Sequence, residues 1–293
     1  MENMHRHMLH NDRLEEASSR SLGAGQVGLL SGWGVFSTIR VADGVLFAFE
    51  RHYDRMKRDA AKLHVAIPME LDAMQAHLLR LVEANEAWDA TMRVCVVRNR
   101  GGLWEGPGVT TDADVVAFTA PLHPWPDQVS LGLKAAARYT DSEFAGTKVL
   151  SWAPNLVWYE EAHNRGLGDM LLLNERGDVS ECTSANIFAV FGDTVLTPPL
   201  DSGCLPGVTR ALLLEMQIEG VHVREKELAP EDLEKADQVF ITSTTRDLLP
   251  VQAIEGLKIR NTGEVAARLE EAIVRYRASY IRTHATARPA STK

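Results

Sequence analysis

The sequence has 293 residues, of which 45% are hydrophobic and 24% are charged. This composition indicates a globular protein with enough apolar residues for one large or two medium domains, and it excludes a disordered or fibrous chain. Forty acidic residues against 31 basic ones give a formal charge of −9, and the basic residues form no long run. Nucleic acid and anionic membranes are therefore not expected as partners.

The first twelve residues are polar and rich in histidine, and they show no packing pattern. We predict a flexible tail over residues 1–12 and another over residues 286–293. The start is unlike a secretion signal and no apolar run is long enough to span a membrane, so a cytoplasmic protein is expected. No metal site is predicted, although the tail holds His5, His7 and His10. Three cysteines without metal-type spacing are expected to be reduced and mostly buried: Cys95, Cys182 and Cys204.

Residues 13–120 are predicted to form a small α+β domain. A strand over 33–41 is followed by the turn Ala42-Asp43-Gly44, which closes a hairpin onto 45–47. Apolar residues then recur at helical spacing over 51–64 and 69–82. Strands at 92–97 and 114–119 flank a loop rich in glycine and proline over 99–108.

The segment 121–128 is predicted to be an interdomain linker, because its first seven residues include three prolines. A second, larger α+β domain is expected over 129–285. Its predicted strands cover 129–136, 169–173, 185–190 and 238–242, and its predicted helices cover about 155–165, a segment that opens at 206–207, then 230–235 and 263–280.

Two segments of the second domain have the chemistry of an anion site. Leu205-Pro-Gly-Val-Thr-Arg210 begins a helix, where the backbone amides of Val208 and Thr209 are available for a phosphate or carboxylate. Thr242-Ser-Thr-Thr245 places four hydroxyl residues directly after an apolar strand. Each segment also has an ordinary interpretation, as a helix start that binds nothing and as a turn that satisfies its own backbone.

Several charged residues stand in uncharged surroundings. Glu181 is either a solvent-facing turn residue or a carboxylate that keeps a cofactor nitrogen protonated. Lys148 is one lysine among many, but its apolar setting is one in which an amine becomes nucleophilic. Arg98 and Arg100 end a strand, where a guanidinium either is solvated or clamps a carboxylate.

Taken in order, these segments resemble the class IV (fold type IV) aminotransferases, which use pyridoxal 5′-phosphate. That family includes branched-chain and D-amino acid aminotransferases, (R)-amine transaminases and aminodeoxychorismate lyases. The resemblance runs from about Gly32 to Ile254. It rests on Gly34–Val41, His52-Tyr-Asp-Arg55, Lys148, Glu181 through Asn186-Ile-Phe188, Gly207-Val-Thr-Arg210, and Thr242–Thr245 followed by Pro250-Val251.

The resemblance implies a two-domain α+β enzyme with a small N-terminal domain and a larger C-terminal pseudo-barrel. It implies that Lys148 holds the cofactor as a Schiff base and moves a proton between Cα and C4′, and that Glu181 pairs with the pyridine nitrogen. It further implies a homodimer with the active site near the subunit interface. The implied phosphate contacts are Arg55, Gly207, Val208, Thr209, Ser243 and Thr244.

The implied reaction moves an amino group between an amino acid, branched-chain by default, and a 2-oxo acid such as 2-oxoglutarate or pyruvate. Phe36-Ser37-Thr38 stands where branched-chain enzymes usually have Phe-Glu-Gly, and it leans toward the lyase. The alternatives are therefore a lyase that releases pyruvate and 4-aminobenzoate, or a D-amino acid or (R)-amine transaminase. The predicted substrate contacts are Phe36, Thr38, Arg98 and Arg100, with Arg40 as a weaker candidate.

Overall fold

The computed structural model describes residues 4–103, 105–106 and 109–285. The chain folds into two compact units, one up to His123 and from Val274 onward, the other from Pro124 to Ile273. The boundary falls inside the predicted linker. The residues from Val274 belong with the first unit, whereas the sequence assigned them to the second domain. The predicted tail 286–293 and positions 104, 107 and 108 of the predicted loop lie outside the described residues.

The first unit is built on a six-stranded antiparallel sheet with the order β2-β1-β6-β5-β3-β4. Its apolar core lies between this sheet and two helices, α2 and α3. The elements are β1 (His7–His10), β2 (Arg13–Glu16), α1 (Val27–Ser31), β3 (Gly34–Ala42), β4 (Val45–Leu46), α2 (Phe49–Lys62), α3 (Leu71–Ala84), β5 (Ala90–Arg98) and β6 (Ala113–Pro121).

The prediction of a flexible tail over residues 1–12 is wrong for His7–His10, which form β1. This strand pairs with both β2 and β6. Leu9 is fully buried in the core of the first unit. Four residues are too few to show a strand pattern in sequence, and it is pairing with β6, more than 100 positions away, that places β1 inside the sheet.

The second unit contains an eight-stranded mixed sheet with the order β12-β11-β10-β13-β14-β7-β8-β9. Three of its neighbouring pairs are parallel: β11 with β12, β14 with β7, and β7 with β8. Its elements are β7 (Val129–Arg138), α4 (Ala153–Asn164), β8 (Asp169–Asn174), β9 (Val179–Cys182), β10 (Asn186–Phe191), β11 (Thr194–Thr197), a 3-10 turn (Leu200–Ser202), α5 (Val208–Glu215), β12 (His222–Glu225), α6 (Pro230–Lys235), β13 (Gln238–Ser243) and β14 (Asp247–Ile254).

The last helix, α7 (Val265–His284), has residues in both units. Among the described residues no helix has the length and apolar character needed to cross a membrane. The sequence missed β9, β11, β12 and β14. Three of these are only four residues long. The fourth, β14, contains Pro250, and proline is disfavoured in a strand that pairs with a neighbour on each side.

Candidate active site

In the second unit, three chain segments meet at Cys204–Gly207. The backbone N–H of Leu205 donates to Glu181 Oε2 at 3.0 Å, and its carbonyl accepts from Asn186 Nδ2 at 2.8 Å. Gly146 packs against the same stretch, since a Cβ there would lie 2.8 Å from the Cys204 carbonyl oxygen. The segment therefore connects the Lys148 loop with Glu181 and with the start of α5.

Glu181 is a buried strand residue, with a side chain only 8% exposed. Its Oε1 accepts a hydrogen bond from Arg138 Nε at 2.9 Å, and Oε2 accepts from Leu205 N. Of the two interpretations left open by the sequence, the solvent-facing one is wrong. Arg138 was missed, because it meets Glu181 only through the pairing of β7 with β8 and of β8 with β9.

The start of α5 is anchored to the sheet through Asn186. Gly207 is the N-cap residue, and no side chain caps the helix there. A Cβ at Gly207 would overlap the Asn186 side-chain oxygen, so the backbone and the amide lie in close contact. Asn186 is also directly opposite Thr242 at the end of β13. The two predicted anion segments are thus adjacent, and α5 packs on β13.

The turn between β13 and β14 carries the second group of hydroxyls. The N–H of Arg246 donates to the Ser243 carbonyl at 3.2 Å, and Ser243 pairs with Asp247, whose φ is 58°. Thr242 Oγ1 is buried and has no hydrogen-bond partner among the described residues. A buried hydroxyl without a partner is costly, which indicates that a polar group outside the chain belongs here.

Lys148 lies in the loop between β7 and α4 and is half-buried. Its Nζ is 4.7 Å from the centre of the Trp152 ring, a distance at which a cation interacts with the ring face. Burial raises the pKa of the nearby Cys204 thiol to about 11, and the charge of Glu181 adds to this shift. Cys204 is therefore a neutral thiol at physiological pH.

In the first unit, Arg55 is buried on α2. Its Nη2 donates to Ser37 Oγ at 2.8 Å, and this hydroxyl also meets His52 Nδ1 at 2.8 Å. The Arg55 Nε is buried and, within the described part of the chain, has no hydrogen-bond partner. Burial lowers the pKa of Arg55 to about 10. A desolvated guanidinium with a spare donor is suited to an anion.

Phe36 and Thr38 lie on one face of the first sheet, because alternate strand residues point the same way. Thr38 stands directly opposite Arg93 in the pairing of β3 with β5. The Arg93 guanidinium lies 4.4 Å from the centre of the Phe36 ring, and burial lowers its pKa. The sequence reasoning did not select Arg93, although alternation along β5 places it on this face.

The two predicted clamp arginines have other contacts. Arg98 donates to the carbonyls of His64 and Arg100, at 2.9 and 2.7 Å, and its guanidinium lies 4.0 Å from the Trp33 ring. Arg100 is exposed and forms ion pairs with Glu105 and Asp112. These contacts support the loop, whereas the Arg93 guanidinium lies beside Phe36 and Thr38.

The N-terminal histidines have separate partners. His5 contacts Thr119, His7 contacts Asn85, and His10 lies beside Asp114 and Glu15. Over residues 4–103, 105–106 and 109–285, no group of three or more histidine, cysteine or acidic side chains is arranged to hold a metal ion.

Comparison with known proteins gives one family. The model of the family described as amino-transferase class IV matches residues 34–254. A candidate branched-chain-amino-acid aminotransferase of Methanocaldococcus jannaschii is 32% identical over 250 residues, which cover 83% of this chain and 87% of that protein. A D-alanine aminotransferase of Bacillus licheniformis is 28% identical and covers 86% of this chain and 89% of its own length.

Solved structures show the same fold. The branched-chain amino acid aminotransferase of Escherichia coli superimposes with a TM-score of 0.85 at 22% identity, covering 93% of this chain and 95% of that one. A candidate 4-amino-4-deoxychorismate lyase of Legionella pneumophila gives a TM-score of 0.81 at 21% identity, covering 88% and 96%. The expected two-part α+β architecture is thereby confirmed as fold type IV.

Proposed function

We propose roles for the residues of this chain, which belongs to the class IV aminotransferases and is therefore an enzyme that uses pyridoxal phosphate to transfer amino groups. Lys148 would hold the cofactor covalently. The observation that carries this proposal is the convergence of the Lys148 loop, Glu181 and the uncapped start of α5 on Cys204–Gly207.

The residues at the start of α5 fit the phosphate group. Helix N-termini favour anions, and no side chain caps this one. Thr242 Oγ1, buried without a partner among the described residues, marks the adjacent end of β13 as a place for a polar group. We assign the phosphate contacts to Gly207, Val208, Thr209, Ser243 and Thr244, and the resemblance adds Arg55.

Glu181 fits the pyridine nitrogen. Each of its oxygens accepts one described hydrogen bond, and a carboxylate oxygen has room for a second. Arg138 and the Leu205 amide fix its orientation, because each donates to a different carboxylate oxygen. When bound, the cofactor supplies an electron sink that makes the substrate Cα–H acidic. Lys148 would remove that proton from Cα and return it at C4′.

The proposed substrates are an amino acid, branched-chain by default, and a 2-oxo acid such as 2-oxoglutarate or pyruvate. Similarity to the branched-chain relative supports this choice, and similarity to the D-alanine aminotransferase supports the D-amino acid alternative. The sequence Phe36-Ser37-Thr38 favours the lyase as the second candidate. We add Arg93 to the proposed substrate contacts, because its guanidinium lies beside Phe36 and Thr38.

A homodimer is proposed as the working state. The family resemblance implies it, and two pairs of adjacent exposed apolar residues support it: Leu29–Leu30 and Leu156–Val157. Sedimentation equilibrium tests this proposal. A monomer at micromolar concentration would refute it.

The function is tested by reducing the purified enzyme with borohydride and mapping the labelled peptide. Label on Lys148, and its loss in Lys148→Ala, is expected. The control is Lys134→Ala, since Lys134 pairs with Glu161 and should be dispensable. Label on another lysine would refute the assignment of Lys148.

Substrate class is tested by mixing the enzyme with L-amino acids, D-amino acids, (R)-1-phenylethylamine and aminodeoxychorismate. Absorbance follows amino transfer to the cofactor, and pyruvate release without transfer identifies the lyase. Arg93→Ala, Arg98→Ala and Arg100→Ala are then compared on an amino acid and on an amine without a carboxylate. Replacing an arginine that binds the substrate carboxylate should reduce activity on the amino acid and spare activity on the amine. Equal losses on both substrates would indicate that the arginine only supports the structure.

A further inference from the structure

The second unit contains a buried ion pair that the proposed function does not use. Arg246 Nη1 lies 3.1 Å from Asp169 Oδ2, and the two side chains are 3% and 0% exposed. The centre of the Trp125 ring lies 4.0 Å from the Arg246 guanidinium. The pair is therefore almost completely removed from solvent.

Asp169, the first residue of β8, holds the connection between β9 and β10. Its Oδ1 accepts hydrogen bonds from the Thr183 backbone N–H at 3.1 Å and from the Thr183 hydroxyl. Its Oδ2 accepts from Ser184 Oγ at 2.8 Å. Thr183 and Ser184 lie between Glu181, the proposed partner of the pyridine nitrogen, and Asn186, which contacts Gly207.

Arg246 holds the turn between β13 and β14 to the same connection. Its Nη2 donates to Ser184 Oγ at 2.8 Å, while its backbone N–H closes the turn on the Ser243 carbonyl. The ion pair thus joins two chain segments, one beside Glu181 and one that carries Ser243 and Thr244. These are the segments proposed to bind opposite ends of the cofactor.

Stability alone does not account for this arrangement, because a well-packed apolar pair is often as stabilising as a buried ion pair. A buried ion pair with several hydrogen bonds instead fixes the relative positions of the chain segments that it joins. We propose that Asp169 and Arg246 are positioning residues that set the distance between Glu181 and the phosphate-binding turn. This inference rests on the proposed function.

The test is cofactor affinity, measured by titrating the apoenzyme with pyridoxal phosphate and following tryptophan fluorescence well below the unfolding temperature. Arg246→Met and Asp169→Asn should each weaken binding at least about tenfold. The double variant should lose much less than the product of the two single losses, because residues that share one interaction are not additive.

Ser184→Ala is the mild variant, since it keeps both charges and removes the hydroxyl that bridges them. It should fold as the wild type does and weaken cofactor binding about threefold, less than the charge-removing variants, because it removes two hydrogen bonds but leaves the direct contact between Asp169 and Arg246 in place. It also keeps the proposal testable if a charge-removing variant fails to fold.

Leu233→Ala is the matched control for stability. Leu233 is fully buried in the core of the same unit, on α6, and contributes no group to the pair. It should lower the unfolding temperature and leave cofactor affinity unchanged. Charge-removing variants that lower the unfolding temperature but bind the cofactor like the wild type, together with an unaffected Ser184→Ala, would overturn the positioning role.

The two proposals fail separately. If borohydride labels a lysine other than Lys148, the proposed function fails whatever these variants show. If Lys148 is labelled and affinity is unchanged in Ser184→Ala and in every folded charge-removing variant, only the positioning role fails.

Discussion

Glu181→Gln is the substitution for which the structure gives the most specific expectation. It replaces one carboxylate oxygen with an NH₂ group of nearly the same size. In the native protein both oxygens accept hydrogen bonds, one from Arg138 Nε and the other from Leu205 N. Whichever way the amide is turned, its NH₂ group therefore faces another donor.

The expected loss in the free energy of unfolding follows from the burial of Glu181 and its partner Arg138. The Arg138 and Glu181 side chains are 16% and 8% exposed, so water screens their attraction only weakly. Removing one partner of a buried ion pair costs about 3–5 kcal/mol in the free energy of unfolding. If Glu181 pairs with the pyridine nitrogen as proposed, that charge-assisted hydrogen bond is worth roughly 1.5–3 kcal/mol, and its loss in the transition state slows turnover by about 10- to 150-fold.

The assay combines thermal unfolding with kcat and cofactor content. Glu161→Gln is the matched control, because it makes the same chemical change in a pair with Lys134 that is 37–39% exposed. We expect the control to change stability by less than about 1 kcal/mol and to keep full turnover. If Glu181→Gln were as stable and as active as the control, Glu181 would have neither the structural nor the catalytic role assigned to it.

Three further predictions concern the phosphate site and the first unit. Arg55→Ala and Thr209→Ala should each weaken cofactor binding by one to two decades, since each removes a contact worth roughly 1.5–3 kcal/mol, and a titration with unchanged affinity would misplace the site. Gly207→Ala should weaken cofactor binding too, because the new Cβ displaces Asn186. Gly23→Ala is the steric control, because a Cβ there makes only an ordinary contact, 3.9 Å from the Gln26 side-chain oxygen. Burial and Glu50 raise the pKa of Tyr280 well above its usual value, so the unfolded chain loses this proton first and stability falls as pH rises above about 10. Melting curves of Tyr280→Phe should show less of that alkaline loss.

Elements with a strong local pattern were predictable from the sequence alone. Periodicity and turn residues are local signals, so the elements that they mark lie within a few residues of their predicted positions. These elements are the helices α2 and α3 and the strands β3, β5, β6, β10 and β13. The two candidate anion segments were also recognisable, since a helix start and a hydroxyl-rich strand end are each defined by adjacent residues. Family membership followed from the order of such segments.

Contacts between residues far apart in sequence became clear only from the tertiary structure. Residues 7–10 form a strand inside the first sheet, paired with β2 nearby and with β6 more than 100 positions later. Arg138 meets Glu181 across 43 positions, and Arg246 meets Asp169 across 77. Strand pairing alone brings these charges together, and burial makes each attraction strong while leaving no trace in local sequence. The same pairing gathers Glu181, Asn186 and Thr242 around the start of α5, where single-residue patterns showed only separate candidates.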